Sequence, residues 1–160
     1  MIMVGMADLN IAKHPGTLTT LGLGSCVGIA LYDPITKVAG MAHCMLPDSN
    51  QIKNNANVAK FVDTATDKLI ADMVAAGASQ RRLVAKLAGG AQMFAFGAGS
   101  TNETMRIGDR NVEASKSKLA SLGIRIVAFD VGDNYGRTIE LYSDDGRLVI
   151  KTIGRGTKTI

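Results

Sequence analysis

Short apolar segments that end in turns dominate this chain, and they limit the folds that it can adopt. Turn residues such as Asp33-Pro34 and Asp144-Asp145-Gly146 separate them. Strands are predicted over residues 2–12, 17–21, 27–32, 37–46, 83–88, 124–131, 137–142 and 148–153. Because short turns join most neighbouring strands, we expect hairpins rather than helical crossovers.

Two segments instead have helical spacing. Apolar residues recur at this spacing over residues 58–73, and Gly77 suits the left-handed position that follows a helix. The second segment covers about residues 109–122, with acidic residues near its start, lysines in its second half and Gly123 after it. Strands outnumber helices. We therefore predict one α+β domain over residues 1–160, a layered sandwich of mixed or antiparallel β-sheet, with two sheets expected and two main helices packed on one side.

Composition and charge exclude several classes of function. The chain has 160 residues, of which 46% are hydrophobic, enough to bury the core of one domain. Its net charge of +4 is spread along the sequence, whereas nucleic-acid binders concentrate charge in a patch. The N-terminus has no signal-peptide pattern, and Lys86 and Gln92 interrupt the most apolar window, residues 83–99. We expect a cytoplasmic protein without nucleic-acid partners or membrane insertion.

A glycine-rich stretch, with Gly22, Gly24 and Ser25, precedes Cys26. It lacks the third glycine of the dinucleotide fingerprint, because position 27 is Val27, and it also lacks the Gly-Lys-Ser/Thr of a P-loop. Small residues here would let a substrate approach the backbone, whose N–H groups could hold a developing oxyanion. A plain turn between two strands explains the same residues equally well.

Cys26 and His43 lie on the two strands of one predicted hairpin. If Tyr32 faces Lys37, Cys26 lies opposite His43, with Cβ atoms about 4.5–5.5 Å apart, which suits a thiolate–imidazolium pair. A slip of one residue sets Cys26 opposite Cys44, where a disulfide is conceivable, and turns every side chain to the other face. Spacing alone does not separate these registers. An isolated cysteine beside an apolar strand is also commonly a core residue.

Several motifs around this pair form a recognisable pattern. They are Thr20-Leu-Gly-Leu-Gly-Ser-Cys26-Val, Leu31-Tyr-Asp-Pro34, Gly40-Met-Ala-His43 and Met45-Leu-Pro47, with further motifs at residues 87–94, 107–114 and 146–156. Together they closely resemble CheD, the chemoreceptor glutamine deamidase family of bacterial and archaeal chemotaxis. The resemblance implies that Cys26 is the nucleophile, His43 the base and Thr20 the residue that orients the histidine.

The resemblance also implies a reaction and two partners. The reaction is hydrolysis of glutamine side-chain amides in the cytoplasmic domain of chemotaxis receptors, through a cysteine thioester and without a cofactor. The partners are that receptor domain and a CheC-type phosphatase. Gln92, Met93, Phe94 and Phe96 are candidates for an exposed contact with a partner, although the apolar three would fit a core equally well. Two histidines and two separated cysteines do not predict a metal site.

Two other hypotheses use the same residues. The first is a regulatory module that binds the phosphatase without catalysis. The second is a thiol protease or transglutaminase, which would share the nucleophile but differ in its substrate or acyl acceptor.

Overall fold

The structure is a computed structural model that describes residues 1–93 and 106–160. Ten strands and two α-helices are formed by these residues. In chain order they are β1 (Ile2–Met3), β2 (Asp8–Lys13), β3 (Thr17–Leu23), β4 (Val27–Asp33), β5 (Val38–Cys44), α1 (Val62–Ala75), β6 (Val84–Gly89), α2 (Ile107–Ser121), β7 (Arg125–Val131), β8 (Arg137–Tyr142), β9 (Leu148–Thr152) and β10 (Gly156–Thr159). No helix among them is long and apolar enough to cross a membrane.

The strands form two sheets of five, which confirms the predicted α+β sandwich. One sheet, the outer sheet, has the order β1-β3-β8-β9-β10, and the other, the central sheet, has the order β2-β5-β4-β6-β7. Both are mixed, because β1 pairs with β3 in parallel and β6 pairs with β7 in parallel, while the other pairs are antiparallel. Both helices contact the central sheet, which therefore lies between the helices and the outer sheet.

Successive side chains of the central sheet point to opposite faces, so the hydrophobic core consists of two clusters. Val27 and Ile29 of β4 pack in the cluster that contains the helix residues, whereas Cys26 and Ala30 pack in the cluster that contains the outer sheet. Every residue of β4 and β5 is buried, because both faces of these strands are covered. Residues an even number of positions apart along a strand therefore share one core.

The β4–β5 hairpin has neither of the two predicted registers. Asp33 pairs with Val38 and Gly28 pairs with His43, so the loop consists of residues 34–37. The prediction was wrong because Lys37 belongs to the loop, where it adopts a left-handed φ of 58°. The observed register differs from the first predicted register by two residues. A shift of two residues leaves each side chain on the same face of the sheet. His43 therefore still lies on the same face as Cys26.

Other boundaries also differ from the prediction. Residues 2–12 form two strands in different sheets, because the chain turns between them, where Ala7 has a φ of 55°. Strand β10 was not predicted. The first predicted helix is shorter, since Val58–Lys60 form a separate 3₁₀ turn and Phe61 is extended. Both α-helices end where predicted, with Gly77 and Gly123 at positive φ beyond their last residues.

Candidate active site

Thr20 and His43 meet between the two sheets, and Cys26 lies on the same side of the central sheet. Thr20 is on β3 of the outer sheet, His43 is on β5 of the central sheet, and Cys26 directly precedes β4. Thr20 is fully buried and His43 is 1% exposed, whereas Cys26 retains 8% exposure. Solvent therefore reaches the cysteine more readily than the two residues behind it.

A chain of two hydrogen bonds fixes the protonation of His43. The Thr20 hydroxyl donates to the main-chain oxygen of Val4 at 2.7 Å, and its Oγ1 lies 2.7 Å from Nδ1 of His43. A threonine hydroxyl has one proton, and here that proton is directed to Val4. The contact with His43 is then a hydrogen bond only if Nδ1 carries a proton and donates it to Oγ1. The lone pair of the neutral imidazole is therefore on Nε2.

Nε2 of His43 is buried and has no hydrogen-bond partner within the described part of the chain. His43 pairs with Gly28 across the hairpin, and Cys26 lies two residues before Gly28. Residues in such a diagonal relation have their Cα atoms about 7–8 Å apart. Cys26 and His43 therefore occupy neighbouring positions on one face, and Nε2 is not hydrogen-bonded to the Cys26 sulfur.

Burial explains why the pair rests without charge. It raises the pKa of the Cys26 thiol, an effect that the residue's own backbone N–H partly opposes. It lowers the pKa of His43. Both shifts favour the neutral forms at neutral pH. A thiolate at this site would need an acceptor for its proton, and the unpartnered Nε2 of His43 is able to accept one.

Residues 24–26 join β3 to β4 and are here called the Cys26 loop; hydrogen bonds to their carbonyl oxygens hold them in place. Three donors are involved, and the bonds run from Ala91 N to Gly24 O (2.9 Å), from Asn111 Nδ2 to Ser25 O (2.9 Å) and from Gly90 N to Cys26 O (2.8 Å). Gly22 has a φ of 66° at the point where the β3–β8 register shifts. The N–H groups of Gly24 and Ser25 form no hydrogen bond among the described residues. They are therefore available to a substrate oxygen.

Cys44 follows His43 directly but points to the opposite face of the central sheet. It is fully buried in the cluster that contains the helix residues, opposite Val27, and burial raises the pKa of its thiol. Both cysteines are free thiols. The alternative register, with Cys26 facing Cys44, is therefore wrong. Within residues 1–93 and 106–160, no cluster of three or more His, Cys, Asp or Glu side chains is suited to holding a metal ion.

The predicted partner residues are only partly described. Gln92 is half-buried, and its side-chain amide donates to Asp109 at 2.7 Å. Met93 lies over the Cys26 loop, since a Cβ placed on Gly24 would be 3.1 Å from its Cγ. Phe94 and Phe96 lie outside the described residues.

Two residues of the site were missed by sequence analysis. Val4 takes part through its main-chain oxygen, which no side-chain pattern reveals. Asn111 is a fully buried polar residue on the inner face of α2, between Gly108 and Ser115. An asparagine at a buried position of a predicted helix was the available signal, because such a side chain needs specific partners.

Comparisons with known proteins point to one family. A family model described as CheD chemotactic sensory transduction matches residues 45–152. The chain is 59% identical to a probable chemoreceptor glutamine deamidase CheD of Lachnoclostridium phytofermentans, covering 100% of this chain and 98% of that protein. It is 55% identical to the chemoreceptor glutamine deamidase CheD of Halalkalibacterium halodurans, covering 99% and 98%. The crystal structure of the hypothetical protein YfiH of Bacillus licheniformis is a remote match, with a TM-score of 0.47 and 14% identity over 79% of this chain and 50% of that one.

Proposed function

Because this chain belongs to the CheD family, it is a chemoreceptor glutamine deamidase, and we propose that Cys26, His43 and Thr20 catalyse its reaction. The substrate is a glutamine side chain of a chemotaxis receptor, and the products are glutamate and ammonia. The hydrogen-bond chain from Val4 through Thr20 to His43 carries this proposal, because it leaves a free lone pair on Nε2, on the same side of the central sheet as Cys26.

In the first half of the reaction, the acyl group of the glutamine side chain is transferred to sulfur. Nε2 of His43 takes the proton of the Cys26 thiol while the sulfur forms a bond to the carboxamide carbon. The carbonyl oxygen becomes an oxyanion, which N–H groups of the Cys26 loop stabilise. Gly24 and Ser25 are the proposed donors. The carbon–nitrogen bond then breaks, and the nitrogen takes the proton from Nε2 and leaves as ammonia.

In the second half, water cleaves the thioester. Nε2 accepts a proton from water while the water oxygen bonds to the thioester carbon. The carbon–sulfur bond then breaks, and the sulfur regains its proton from Nε2. The new carboxylic acid ionises at neutral pH. His43 thus acts twice as base and twice as acid, and the thiol is regenerated.

Thr20 is proposed to orient the ring during both halves. Its Oγ1 accepts from Nδ1, and it stabilises the imidazolium that forms when Nε2 is protonated. An ionised carboxylate would do this more strongly. A hydroxyl anchored on a main-chain carbonyl still fixes the tautomer and the ring orientation.

The two buried thiols allow a matched test. A purified receptor cytoplasmic fragment is incubated with wild type, Cys26→Ala or Cys44→Ala, and mass spectrometry follows amide-to-acid conversion at its glutamines. Wild type and Cys44→Ala should convert them, and Cys26→Ala should not. Equal conversion by Cys26→Ala would contradict the proposal. Cleaved peptide bonds would instead indicate a thiol protease.

We also propose that the protein acts in the cytoplasm and binds a CheC-type phosphatase through Gln92 and Met93. The position of Met93 over the Cys26 loop supports this, because a partner bound there would also cover the nucleophile. Met93→Ala should weaken binding of the purified phosphatase, measured by calorimetry, whereas Ile35→Ala should not, because Ile35 is exposed in the loop at the opposite end of β4 from Cys26. Phosphatase binding by a wild type that converts no receptor glutamine would favour the non-catalytic module instead.

A further inference from the structure

Asn111 connects the two chain segments that supply the nucleophile and the base. It is fully buried on the inner face of α2, in the first half of that helix. Its Nδ2 donates to the main-chain oxygen of Ser25 at 2.9 Å and to that of Met45 at 3.0 Å. Ser25 directly precedes Cys26, and Met45 is two residues after His43. One side-chain amide therefore joins the Cys26 loop to the end of strand β5.

Two glycines allow α2 to reach this position. The start of the helix lies on the backbone that follows β6, and a Cβ on Gly108 would be 2.5 Å from the main-chain oxygen of Gly90. Gly90 itself has a φ of 65° and donates to the Cys26 carbonyl. Larger residues at either position would force the helix away from the Cys26 loop. This close approach places the Asn111 amide within bonding distance of both carbonyls.

The amide is held by its nitrogen alone. Oδ1 of Asn111 is buried and has no partner among the described residues. An unpartnered buried acceptor lowers stability, so a residue chosen only for packing would be apolar here. The two hydrogen bonds donated by Nδ2 offset that loss. Their acceptors lie on the segment that carries Cys26 and on the segment that carries His43. The position of this asparagine therefore points to function as well as to packing.

We propose that Asn111 is a positioning residue that holds the Cys26 sulfur at a fixed place relative to Nε2 of His43, an inference that rests on the proposed function of this site. It does not touch the reacting atoms. It acts through the carbonyls of Ser25 and Met45, and it keeps the Cys26 loop closed against the protein. Without it the loop loosens, so the sulfur gains access to water and loses its alignment with the base.

The test uses two reactions of the same sulfur that should change in opposite directions. Asn111→Leu keeps the approximate size of the side chain but removes both donated bonds without adding a charge. Deamidation of the receptor fragment should fall about 10²-fold in kcat with little change in KM, because misplacement affects the chemical step. Alkylation of Cys26 by iodoacetamide at neutral pH should become faster, because a more exposed thiol ionises more easily. Asn111→Ser serves as a second variant that keeps a smaller donor and should lie between Asn111→Leu and wild type.

Ser115→Ala is the matched control. Ser115 is buried one turn further along α2, and its hydroxyl donates to the main-chain oxygen of Asn111 at 2.7 Å. Its removal costs one buried hydrogen bond but leaves both bonds from the Asn111 amide in place. All variants are compared well below their thermal midpoints, where circular dichroism shows them to be folded.

Two outcomes would overturn the inference. One is an alkylation rate and pH profile in both Asn111 variants that match those of wild type. The other is a loss of deamidation in Ser115→Ala as large as in Asn111→Leu, which would make the effect merely structural. If wild type itself fails to deamidate the receptor, the proposed function fails. The alkylation comparison then still decides whether Asn111 positions the sulfur.

Discussion

At the scale of single residues, the site depends on a main-chain oxygen as much as on side chains. The motif resemblance predicts Cys26, His43 and Thr20 from the sequence, and the structure brings them to one side of the central sheet. The bond from Thr20 to Val4 could not be predicted, because its acceptor has no side-chain signature. That bond assigns the Thr20 proton and so the tautomer of His43. Burial of the ring and the thiol explains their neutral resting state.

Thr19 and Thr20 allow the role of Thr20 in orienting His43 to be separated from a general effect on stability. Thr20→Val keeps the shape of the side chain but removes the acceptor of the Nδ1 proton, so kcat for deamidation should fall about 10²-fold, near the lower limit for loss of a general base. Thr19→Val also removes a buried hydroxyl, which donates to Ile139 O at 3.0 Å, and kcat should stay near that of wild type. Similar activity losses in both variants would show that the Thr20 effect is one of stability alone.

At the scale of elements, the β4–β5 hairpin sets which residues face one another. Both strands and the turn between them are predictable from the sequence, because the alternation of apolar residues and the Asp33-Pro34 pair are local signals. The register is not predictable from these signals, because it depends on the residue at which the loop between the strands begins. Asp33 decides this, since its Oδ1 accepts from the N–H groups of Ile35 and Thr36. Its carboxylate also binds Arg82 and the N–H of Ser79, which are distant in sequence.

Loss of the Asp33 charge should destabilise the protein in a pH-dependent way. Burial acts to raise the pKa of Asp33, but Arg82 and the three N–H groups together hold it well below its usual range. The stabilisation is therefore fully present above the unfolded-state pKa of about 4, and it is lost as pH falls below that value. Urea unfolding of Asp33→Asn at pH 7 should show a loss of roughly 3 kcal/mol.

The exposed pair of Asp144 and Arg147 in the β8–β9 turn provides the control. Asp144→Asn should destabilise the protein much less than Asp33→Asn does, since exposed ion pairs contribute little. The difference between wild type and Asp33→Asn should shrink in acid. A difference that stays constant from pH 7 to pH 3 would show that the carboxylate charge is not its source.

At the scale of the whole molecule, the central sheet belongs to both cores. It packs on the helices through one face and on the outer sheet through the other. Arg137 of the outer sheet is 1% exposed and binds Asp130 of the central sheet at 3.1 Å, and Lys158 binds the same carboxylate at 3.0 Å. The layered arrangement was predictable from the number of strands and helices. These ion pairs between the sheets were not predictable, because no local sequence pattern relates the residues that form them.

We propose that residues 1–160 form one cooperative domain, since neither core can be lost without exposing the central sheet. Thermal unfolding should therefore show a single transition, with the same midpoint by far-ultraviolet circular dichroism and by tyrosine fluorescence. Calorimetric and van't Hoff enthalpies should agree. Two transitions separated in temperature would show that the outer sheet and the layer of helices unfold independently.

The proposed mechanism depends on a neutral His43 imidazole with its proton on Nδ1 and its lone pair on Nε2. Nitrogen-15 NMR of histidine-labelled protein measures this directly, and His43→Gln identifies its signals by their loss. The mechanism predicts a protonated Nδ1 and an unprotonated Nε2 at pH 7, with a His43 pKa below the usual value because the ring is buried. A proton on Nε2 in neutral imidazole, or an imidazolium at pH 7, would contradict it.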